Sequence, residues 1–285
     1  MPELNTRSQI LSALLAQERR EHPFPEGLRS MVETFADQAL ALLFPHFGSR
    51  QGSPVQILKE LDDLTELLDR ALALPVAMVA PEARAAAVDH LIAELGAIRK
   101  ALLLDAQAIY EGDPAAESID EVILAYPGFL AIAIYRIAHE LWGRVSLFPR
   151  MLTEYAHRMT GIDIHPGATI GSSFAIDHGT GIVIGETATL GDRVRLYQGV
   201  TLGAAHVSKR LEGSKRHPTI GDDVVIYANA TILGGETVIG HGSLVGGNVW
   251  LTTSVPPFAV VTSTARSERH TSQPNPADDL NEFNI

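Results

Sequence analysis

The feature that most constrains this chain is a six-residue spacing of apolar residues, which begins after Gly161. The spacing runs without a break to Gly203 and resumes at Ile220. Its members are Ile164, Ile170, Ile176, Ile182, Ala188, Val194 and Val200, followed by Ile220, Ile226, Ile232, Val238, Leu244 and Trp250. An α-helix repeats about every 3.6 residues and a strand about every two, so neither element accounts for this period. A hexapeptide repeat is typical of a parallel β-helix, in which each short strand forms one side of a triangular coil.

An interruption separates the two runs of the repeat. Val200 and Ile220 are twenty positions apart, which is not a multiple of six, so part of the chain must be looped out. Residues 204–218 are polar and basic and lack the repeat, and we expect them to form this loop. The thirteen apolar positions, at three per coil, predict about four coils, the last of which stops near Pro257.

The chain before the repeat has a different composition, rich in Ala and Leu at helical spacing. Apolar residues recur three and four positions apart through residues 55–72, and residues 82–110 favour one long helix. The predicted fold class is therefore α+β. We expect a helical domain at 1–160, a β-helix domain at 161–260 and a flexible tail at 261–285.

Composition excludes several classes of function. The chain has 285 residues and a formal net charge of −12, which disfavours nucleic acid as a partner because phosphate binding needs clustered Lys and Arg. It contains no cysteine, so disulfides, thiolate nucleophiles and cysteine-based metal sites are excluded. The N-terminus lacks the unbroken apolar run of a secretory signal, and no stretch has the length and apolarity of a membrane span. These features are compatible with a cytoplasmic protein.

Polar residues that a coil does not need interrupt the repeat, and the motifs that carry them resemble serine O-acetyltransferases. These motifs are DIHPGATIG (163–171), DHGTGIVIGETA (177–188), QGVTLG (198–203) and RHP (216–218), with DPAAES (113–118) and YPGFLAIAIYRIAHELW (126–142) upstream. Several transferase families share the hexapeptide repeat, whereas DIHP, DHGTG and RHP in this order are specific. The resemblance implies a left-handed β-helix and an enzyme that transfers acetyl from acetyl-CoA to the hydroxyl of L-serine, giving O-acetylserine for cysteine synthesis.

His178 is the predicted general base. A serine hydroxyl is a poor nucleophile until its proton is removed, and an imidazole titrates near neutral pH. Asp163 is predicted to accept a hydrogen bond from the other ring nitrogen, which would fix the tautomer and stabilise the imidazolium, as in the triads of hydrolases. The two residues are fifteen positions apart, three fewer than a coil of about 18, so we expect them on adjacent coils, meeting near a corner.

The resemblance also implies which residues bind the amino acid. Asp113 and Asp177 would hold the ammonium group of serine. Arg216 would bind its carboxylate through the fork of the guanidinium, and His217 would lie across the serine from His178. Cysteine carries the same ammonium and carboxylate groups, and it is the expected feedback inhibitor.

The acetyl-CoA site is implied in the same way, as a groove between neighbouring β-helices. Backbone amides near Gly203 and Ala204 would bond to the pantetheine arm, and Ala228 would leave room for it. No metal is implied. Since the active site of the family lies between subunits, we expect a homo-oligomer, either a trimer or a dimer of trimers.

The last residues, DDLNEFNI (278–285), end in a free carboxylate on Ile285. Composition alone predicts a disordered, solubilising tail. In the family, tails that end in isoleucine insert into the active site of O-acetylserine sulfhydrylase, the next enzyme of the pathway. The resemblance therefore implies this enzyme as a partner, bound through Ile285.

Three alternative functions share features with this sequence. One is another acetyltransferase with the same repeat. A zinc carbonic anhydrase on the same fold needs three converging histidines, two of them spaced His-x4-His, and that pair does not occur. A scaffold that only binds a partner through its tail would not need the set of Asp163, His178, Arg216 and His217.

Overall fold

A computed structural model describes residues 6–21, 27–48, 52–73, 79–205 and 213–262. Within these ranges the chain forms seven helices followed by fourteen short strands. The helices are α1 (Thr6–Glu21), α2 (Leu28–Leu43), α3 (Pro54–Leu72), α4 (Pro81–Gly112), α5 (Ile119–Ala125), α6 (Pro127–Leu141) and α7 (Phe148–Thr160). The strands are β1 (Asp163–Ile164), β2 (Thr169–Ile170), β3 (Ala175–Asp177), β4 (Val183–Ile184), β5 (Thr189–Leu190), β6 (Arg195–Tyr197), β7 (Thr201–Gly203), β8 (Thr219–Ile220), β9 (Val225–Ile226), β10 (Thr231–Leu233), β11 (Val238–Ile239), β12 (Leu244–Val245), β13 (Trp250–Leu251) and β14 (Val260–Val261). The predicted helical region followed by a parallel β-helix is confirmed, while the tail from position 263 onward lies outside the described residues.

Local sequence signals account for the ends of the helices. α3 begins with a capping box, in which Ser53 Oγ accepts from the Gln56 N–H at 3.3 Å and Gln56 Oε1 accepts from the Ser53 N–H at 2.9 Å. Pro54 follows at the first helical position, where its missing N–H leaves no bond unmade. α7 ends at Gly161, whose φ of 72° lies in the left-handed region that glycine favours.

Aromatic pairs join the helices around a common core. Phe35 of α2 meets Phe148 at the start of α7 edge to face, with ring centroids 5.4 Å apart. Phe44 meets Phe129 of α6 in the same way, also at 5.4 Å. All four rings are buried, so α2, α6 and α7 are held together by apolar burial together with favourable ring geometry.

Three parallel sheets form the sides of the β-helix. Sheet 1 has the order β1-β4-β7-β10-β13, sheet 2 the order β2-β5-β8-β11, and sheet 3 the order β3-β6-β9-β12-β14. Successive strands belong to different sheets, so the chain winds through five coils. Ile164, Ile184, Leu202 and Ile232 are in register along sheet 1 and all are buried, which is how the hexapeptide repeat builds a continuous core.

The number of coils and their end differ from the sequence expectation. The fold has five coils rather than about four, and β14 pairs with β12 beyond the predicted stop at Pro257. Val255 also bridges to Ile239 of sheet 2. Pro256 and Pro257 therefore lie at a corner between two sheets, where a missing N–H removes no ladder hydrogen bond.

A buried ion pair joins the helices to the first coil. Asp105 of α4 accepts from Arg136 of α6 through both oxygens, at 2.5 Å from Nε and 2.9 Å from Nη2. The carboxylate also accepts from the Phe174 N–H at 2.9 Å, and the Arg136 Nη2 donates to the Gly171 carbonyl at 2.8 Å. The turn between β2 and β3 is therefore fixed to two helices at once, which sets the position of β3 and the residues that follow it.

No single helix in the described ranges combines the length and apolarity needed to cross a membrane. α5 and α6 pass that test only when taken together, and they are bent by 75° at their junction.

Candidate active site

The polar residues singled out in the sequence gather at two different corners of the β-helix. The corner between sheets 3 and 1, called the His178 corner, consists of residues 177–182, 197–200 and 227–230. The corner between sheets 1 and 2, called the His217 corner, consists of residues 165–168, 185–188, 203–205 and 213–218. Within one chain, these corners are two separate edges of a triangular prism.

His178 has a strained backbone. The chain uses five residues, 178–182, to pass from β3 to β4, but only three, 198–200, to pass from β6 to β7. In the longer turn His178 has a φ of 56°, a left-handed conformation that costs a non-glycine residue about 1–2 kcal/mol. Its side chain is 71% exposed, and Nδ1 lies 3.7 Å from Asp177 Oδ1. Asn229 and Asn248, in later turns between sheets 3 and 1, have the same conformation, so it belongs to the turns of the β-helix and not to His178 alone.

The start of α6 brings Asp113 to the same corner. Gly128 packs directly on the backbone of β3, because a Cβ at this position would overlap the Ile176 carbonyl oxygen. Tyr126, two residues before it, donates from its hydroxyl to Asp113 Oδ2 at 2.6 Å. The pKa of Asp113 is lowered mainly by this hydrogen bond and by one from the Ala115 N–H, with a smaller contribution from the nearby charge of His178. Asp113, Asp177 and His178 thus share one corner.

Asp163 has a different partner from the predicted one. It is in register with Val183, twenty positions along the chain, so the first coil is longer than expected and His178 belongs to the same coil as Asp163. Its Oδ1 accepts from Arg150 Nη1 of α7 at 3.0 Å. Among the described residues no hydrogen bond joins Asp163 to His178. The prediction of adjacent coils is wrong, because the fifteen positions from Asp163 to His178 are fewer than the residues of one coil, so both residues lie in the first coil.

His217 lies buried at the other corner, with a relative exposure of 8%. Its ring packs against Gly185, where any Cβ would overlap it. Nδ1 accepts from the Thr187 N–H at 3.0 Å, so the proton of the neutral ring is on Nε2. Burial, together with the charge of Arg216, lowers the pKa of His217 to about 4. At neutral pH, His217 is therefore an uncharged hydrogen-bond donor.

Arg216 is held beside it by a carboxylate that the sequence did not single out. Arg216 Nη2 forms an ion pair with Glu186 Oε2, and its backbone N–H donates to Thr187 Oγ1 at 2.9 Å. Both side chains of the ion pair are partly exposed. The ion pair holds the guanidinium at the His217 corner and offsets part of its charge, while its fork can still donate to an anionic group there.

The residues assigned to acetyl-CoA are also divided between the corners. Gly203 ends β7, where its carbonyl accepts from the Gly234 N–H at 3.1 Å, and Ala204 follows it at the His217 corner. Ala228 lies at the His178 corner, with its carbonyl bonded to the Asn248 N–H at 2.9 Å. One chain by itself does not bring the three residues into one groove.

Three residues that the sequence analysis did not assign to the site are Tyr126, Arg150 and Glu186. Tyr126 and Glu186 lie inside the motifs YPGFLAIAIYRIAHELW and DHGTGIVIGETA, so a search for hydrogen-bonding side chains within the motifs would have found them. Arg150 lies in a helix that carries none of these motifs, and no local signal distinguished it.

Comparison with known proteins supports the family that the sequence motifs imply. A family model described as the N-terminal region of serine acetyltransferases matches residues 55–133. A plasmid-encoded serine acetyltransferase of Synechococcus elongatus is 47% identical over 247 residues, covering 81% of this chain and 76% of the relative. This chain belongs to the serine acetyltransferase family. The family, fold and acyltransferase class implied by the sequence motifs are confirmed.

Other members of the family agree with this assignment. The serine acetyltransferase of Mycobacterium tuberculosis is 47% identical over 60% of this chain and 73% of the relative. Serine acetyltransferase 1 of Entamoeba histolytica, solved in complex with L-cysteine, matches with a TM-score of 0.75 and 36% identity, covering 80% of this chain and 86% of that one. The enzyme of Neisseria gonorrhoeae, solved in complex with serine, matches with a TM-score of 0.58 and 32% identity, covering 90% and 88%.

Proposed function

We propose that this member of the serine acetyltransferase family transfers the acetyl group of acetyl-CoA to the hydroxyl of L-serine, giving O-acetylserine and CoA. The observation that carries the proposal is the His178 corner, where an exposed imidazole lies beside Asp177 and near Asp113. A base next to two carboxylates suits a substrate that has both an ammonium group to bind and a hydroxyl to deprotonate.

His178 acts as the general base. It takes the proton from the serine hydroxyl while that oxygen attacks the thioester carbonyl of acetyl-CoA. The tetrahedral oxyanion that forms is stabilised by backbone N–H groups, and it collapses by expelling the CoA thiolate. Acetyl passes directly from one substrate to the other, and the chain has no cysteine that could carry it.

Serine is held by charges from both corners. Asp113 and Asp177 bind the ammonium group, and the low pKa of Asp113 keeps its carboxylate charged. Arg216 binds the serine carboxylate, and the Nε2–H of neutral His217 donates a further hydrogen bond. Since Asp177 and Arg216 lie at separate corners of one prism, a complete site takes the His178 corner of one subunit and the His217 corner of the next. The enzyme is therefore at least a trimer, and helical domains that join two trimers would make a hexamer.

Acetyl-CoA occupies the groove between the same two β-helices. Gly203 and Ala204 come from one wall and Ala228 from the other, and the small side chains leave room for the pantetheine arm. The supporting observation is the division of these residues between the same two corners as the serine-binding residues.

Cysteine competes with serine at this site. The Entamoeba histolytica relative was solved with L-cysteine bound. Cysteine has the ammonium and carboxylate groups that Asp113, Asp177 and Arg216 bind, so it inhibits by occupying the serine position. The product supports cysteine synthesis in the cytoplasm.

The C-terminal Ile285 binds O-acetylserine sulfhydrylase through its carboxylate, in the way that backbone amides capture an amino-acid carboxylate. Residues 263–285 lie outside the described part of the chain, so this proposal rests on the sequence. Removal of Ile285 should weaken binding to the sulfhydrylase more than ten-fold, as measured by calorimetry, and leave acetyl transfer unchanged. Equal affinities of the full-length and shortened proteins would contradict it.

The experiment that tests the activity is a thiol-release assay. The protein is incubated with acetyl-CoA, with and without L-serine, and free CoA thiol is measured. Release that depends on serine supports the proposal. Either serine-independent release or no release would contradict the proposal, and no release would leave the scaffold alternative.

A further inference from the structure

We infer that Tyr126 is a positioning residue for serine, which acts by orienting the carboxylate of Asp113. The inference rests on the proposed function, because it gives Asp113 its role in binding the ammonium group. Tyr126 itself would touch neither the hydroxyl nor the thioester.

The hydrogen bonds of Asp113 fix its carboxylate in one orientation. Asp113 follows the last residue of α4 and has an extended backbone. Its Oδ1 accepts from the Ala115 N–H at 2.8 Å, and its Oδ2 accepts from the Tyr126 hydroxyl at 2.6 Å. Each oxygen thus has one donor and keeps a further lone pair, which is what an ammonium ion needs. The side chain is partly exposed, so these lone pairs are open to a ligand.

The backbone of Tyr126 is fixed on both sides. Its N–H donates to the Val122 carbonyl at 3.2 Å, which ends α5, and its carbonyl accepts from the Leu130 N–H at 3.3 Å, which begins α6. Pro127 has a fixed φ and restricts the backbone of Tyr126 before it, and Gly128 seats α6 on the carbonyl of Ile176. Tyr126 is therefore held against β3, the strand that ends in Asp177.

This placement gives a structural reason for the Tyr-Pro-Gly sequence at 126–128. Glycine permits the close contact with β3, proline starts the helix, and the tyrosine hydroxyl reaches back to Asp113. One short segment thereby sets the distance between Asp113, which comes from the helical region, and Asp177, which comes from the β-helix.

The charges favour the same assignment. Asp113 raises the pKa of Tyr126 to about 12, so the phenol stays protonated and donates at any pH at which the enzyme works. The hydrogen bond in turn lowers the pKa of Asp113, because it favours the charged carboxylate that accepts it. A hydroxyl with a purely structural role would have no effect on serine binding.

The test is Tyr126→Phe, which keeps the ring and removes the hydroxyl. We expect the KM for serine to rise about 5- to 20-fold, with kcat and the KM for acetyl-CoA within about two-fold of wild type. An unchanged KM for serine would overturn the inference.

Tyr155→Phe is the matched control. The Tyr155 hydroxyl donates to Asp37 Oδ1 at 2.9 Å between α7 and α2, and its pKa is likewise raised to about 12. The control removes a similar tyrosine–aspartate hydrogen bond from another part of the helical region. Its KM for serine should equal that of wild type, and a rise as large as that of Tyr126→Phe would mean that a general loss of rigidity explains both.

A double-mutant cycle with Asp113→Asn decides whether Tyr126 acts through Asp113. If it does, Tyr126→Phe changes the KM for serine less than two-fold in the Asp113→Asn background. Full additivity would overturn the inference, and so would a Tyr126→Phe protein whose kcat falls with its melting temperature. If wild type shows no serine-dependent thiol release, the proposed function fails and the role of Tyr126 fails with it. If wild type is active and Tyr126→Phe has a normal KM, only the role of Tyr126 fails.

Discussion

Arg150 donates a hydrogen bond of 3.0 Å to Asp163, the carboxylate that the sequence motifs assign to the catalytic histidine. Arg150 also forms an ion pair with Glu154 in the next turn of α7, at 2.5 Å. Asp163 thus has a permanent cationic partner, and it shares that partner with a second carboxylate. The charge that Asp163 can offer to an imidazolium at His178 is therefore partly neutralised.

The first prediction compares the two residues of the predicted pair. His178→Asn should lower kcat about 10²- to 10⁴-fold, the usual range for a general base, and keep the fold, since Asn tolerates the left-handed backbone. Asp163→Asn should lower kcat less, because the imidazole remains and Arg150 already compensates part of the charge of Asp163. Steady-state rates with saturating acetyl-CoA test this. A fall as large for Asp163→Asn as for His178→Asn would give Asp163 a larger role than the structure supports.

The second prediction concerns His217 and pH. Its pKa is about 4 in the folded chain, below the ordinary value of 6.5, so between these values the unfolded chain binds a proton that the folded chain does not. The free energy of unfolding should therefore decrease as the pH falls from about 6.5 to about 4. His217→Asn keeps an acceptor for the Thr187 N–H and removes the titrating ring.

The measurement is the urea midpoint at about pH 7 and about pH 4.5, at one fixed protein concentration. The midpoint of wild type should fall further between the two pH values than that of His217→Asn. Equal falls would show that His217 is not held neutral by its surroundings.

The third prediction concerns the buried ion pair between the helices and the first coil. Asp105→Ala should lower the free energy of unfolding by about 3–5 kcal/mol, because it leaves Arg136 buried without its counter-charge. Asp63→Ala is the control, since it removes an exposed ion pair with Lys59 and should change stability by less than about 1 kcal/mol. A loss of similar size in both variants would contradict the assigned role of Asp105.

Much of this molecule can be predicted from its sequence, for reasons visible at particular residues. Inward apolar residues such as Ile164 and Ile184 recur in every coil because their side chains fill the interior of the β-helix. The six-residue period of these residues therefore specifies the fold. The DHGTG motif marks the His178 turn because His178, Gly179 and Gly181 have positive φ values, a conformation that favours glycine.

Other features depend on distances that no local pattern encodes. The Asp163–Arg150 bond joins a strand to a helix, and the Asp105–Arg136 pair joins two helices to a turn. The length of the first coil depends on two extra residues at one corner, which an average hexapeptide count does not resolve. The division of the site between two corners follows only once the strands are assigned to sheets.

The most direct test of the proposed active site mixes subunits of two impaired variants. His178→Asn damages the His178 corner, and Arg216→Ala damages the His217 corner. A site between subunits is therefore intact only where an Arg216→Ala subunit supplies the His178 corner and a His178→Asn subunit supplies the His217 corner. Random assembly of a co-expressed equal mixture makes about one site in four intact, and thiol release at a serine concentration near the wild-type KM should recover to about a quarter of the wild-type rate. A control mixture of wild type with the double variant should also give about a quarter if each site uses two subunits, and about a half if each site lies within one chain. The predicted result is recovery to about a quarter of the wild-type rate in both mixtures. An active site built from two subunits would be contradicted if the first mixture showed no recovery above its two parent variants and the control mixture gave about a half.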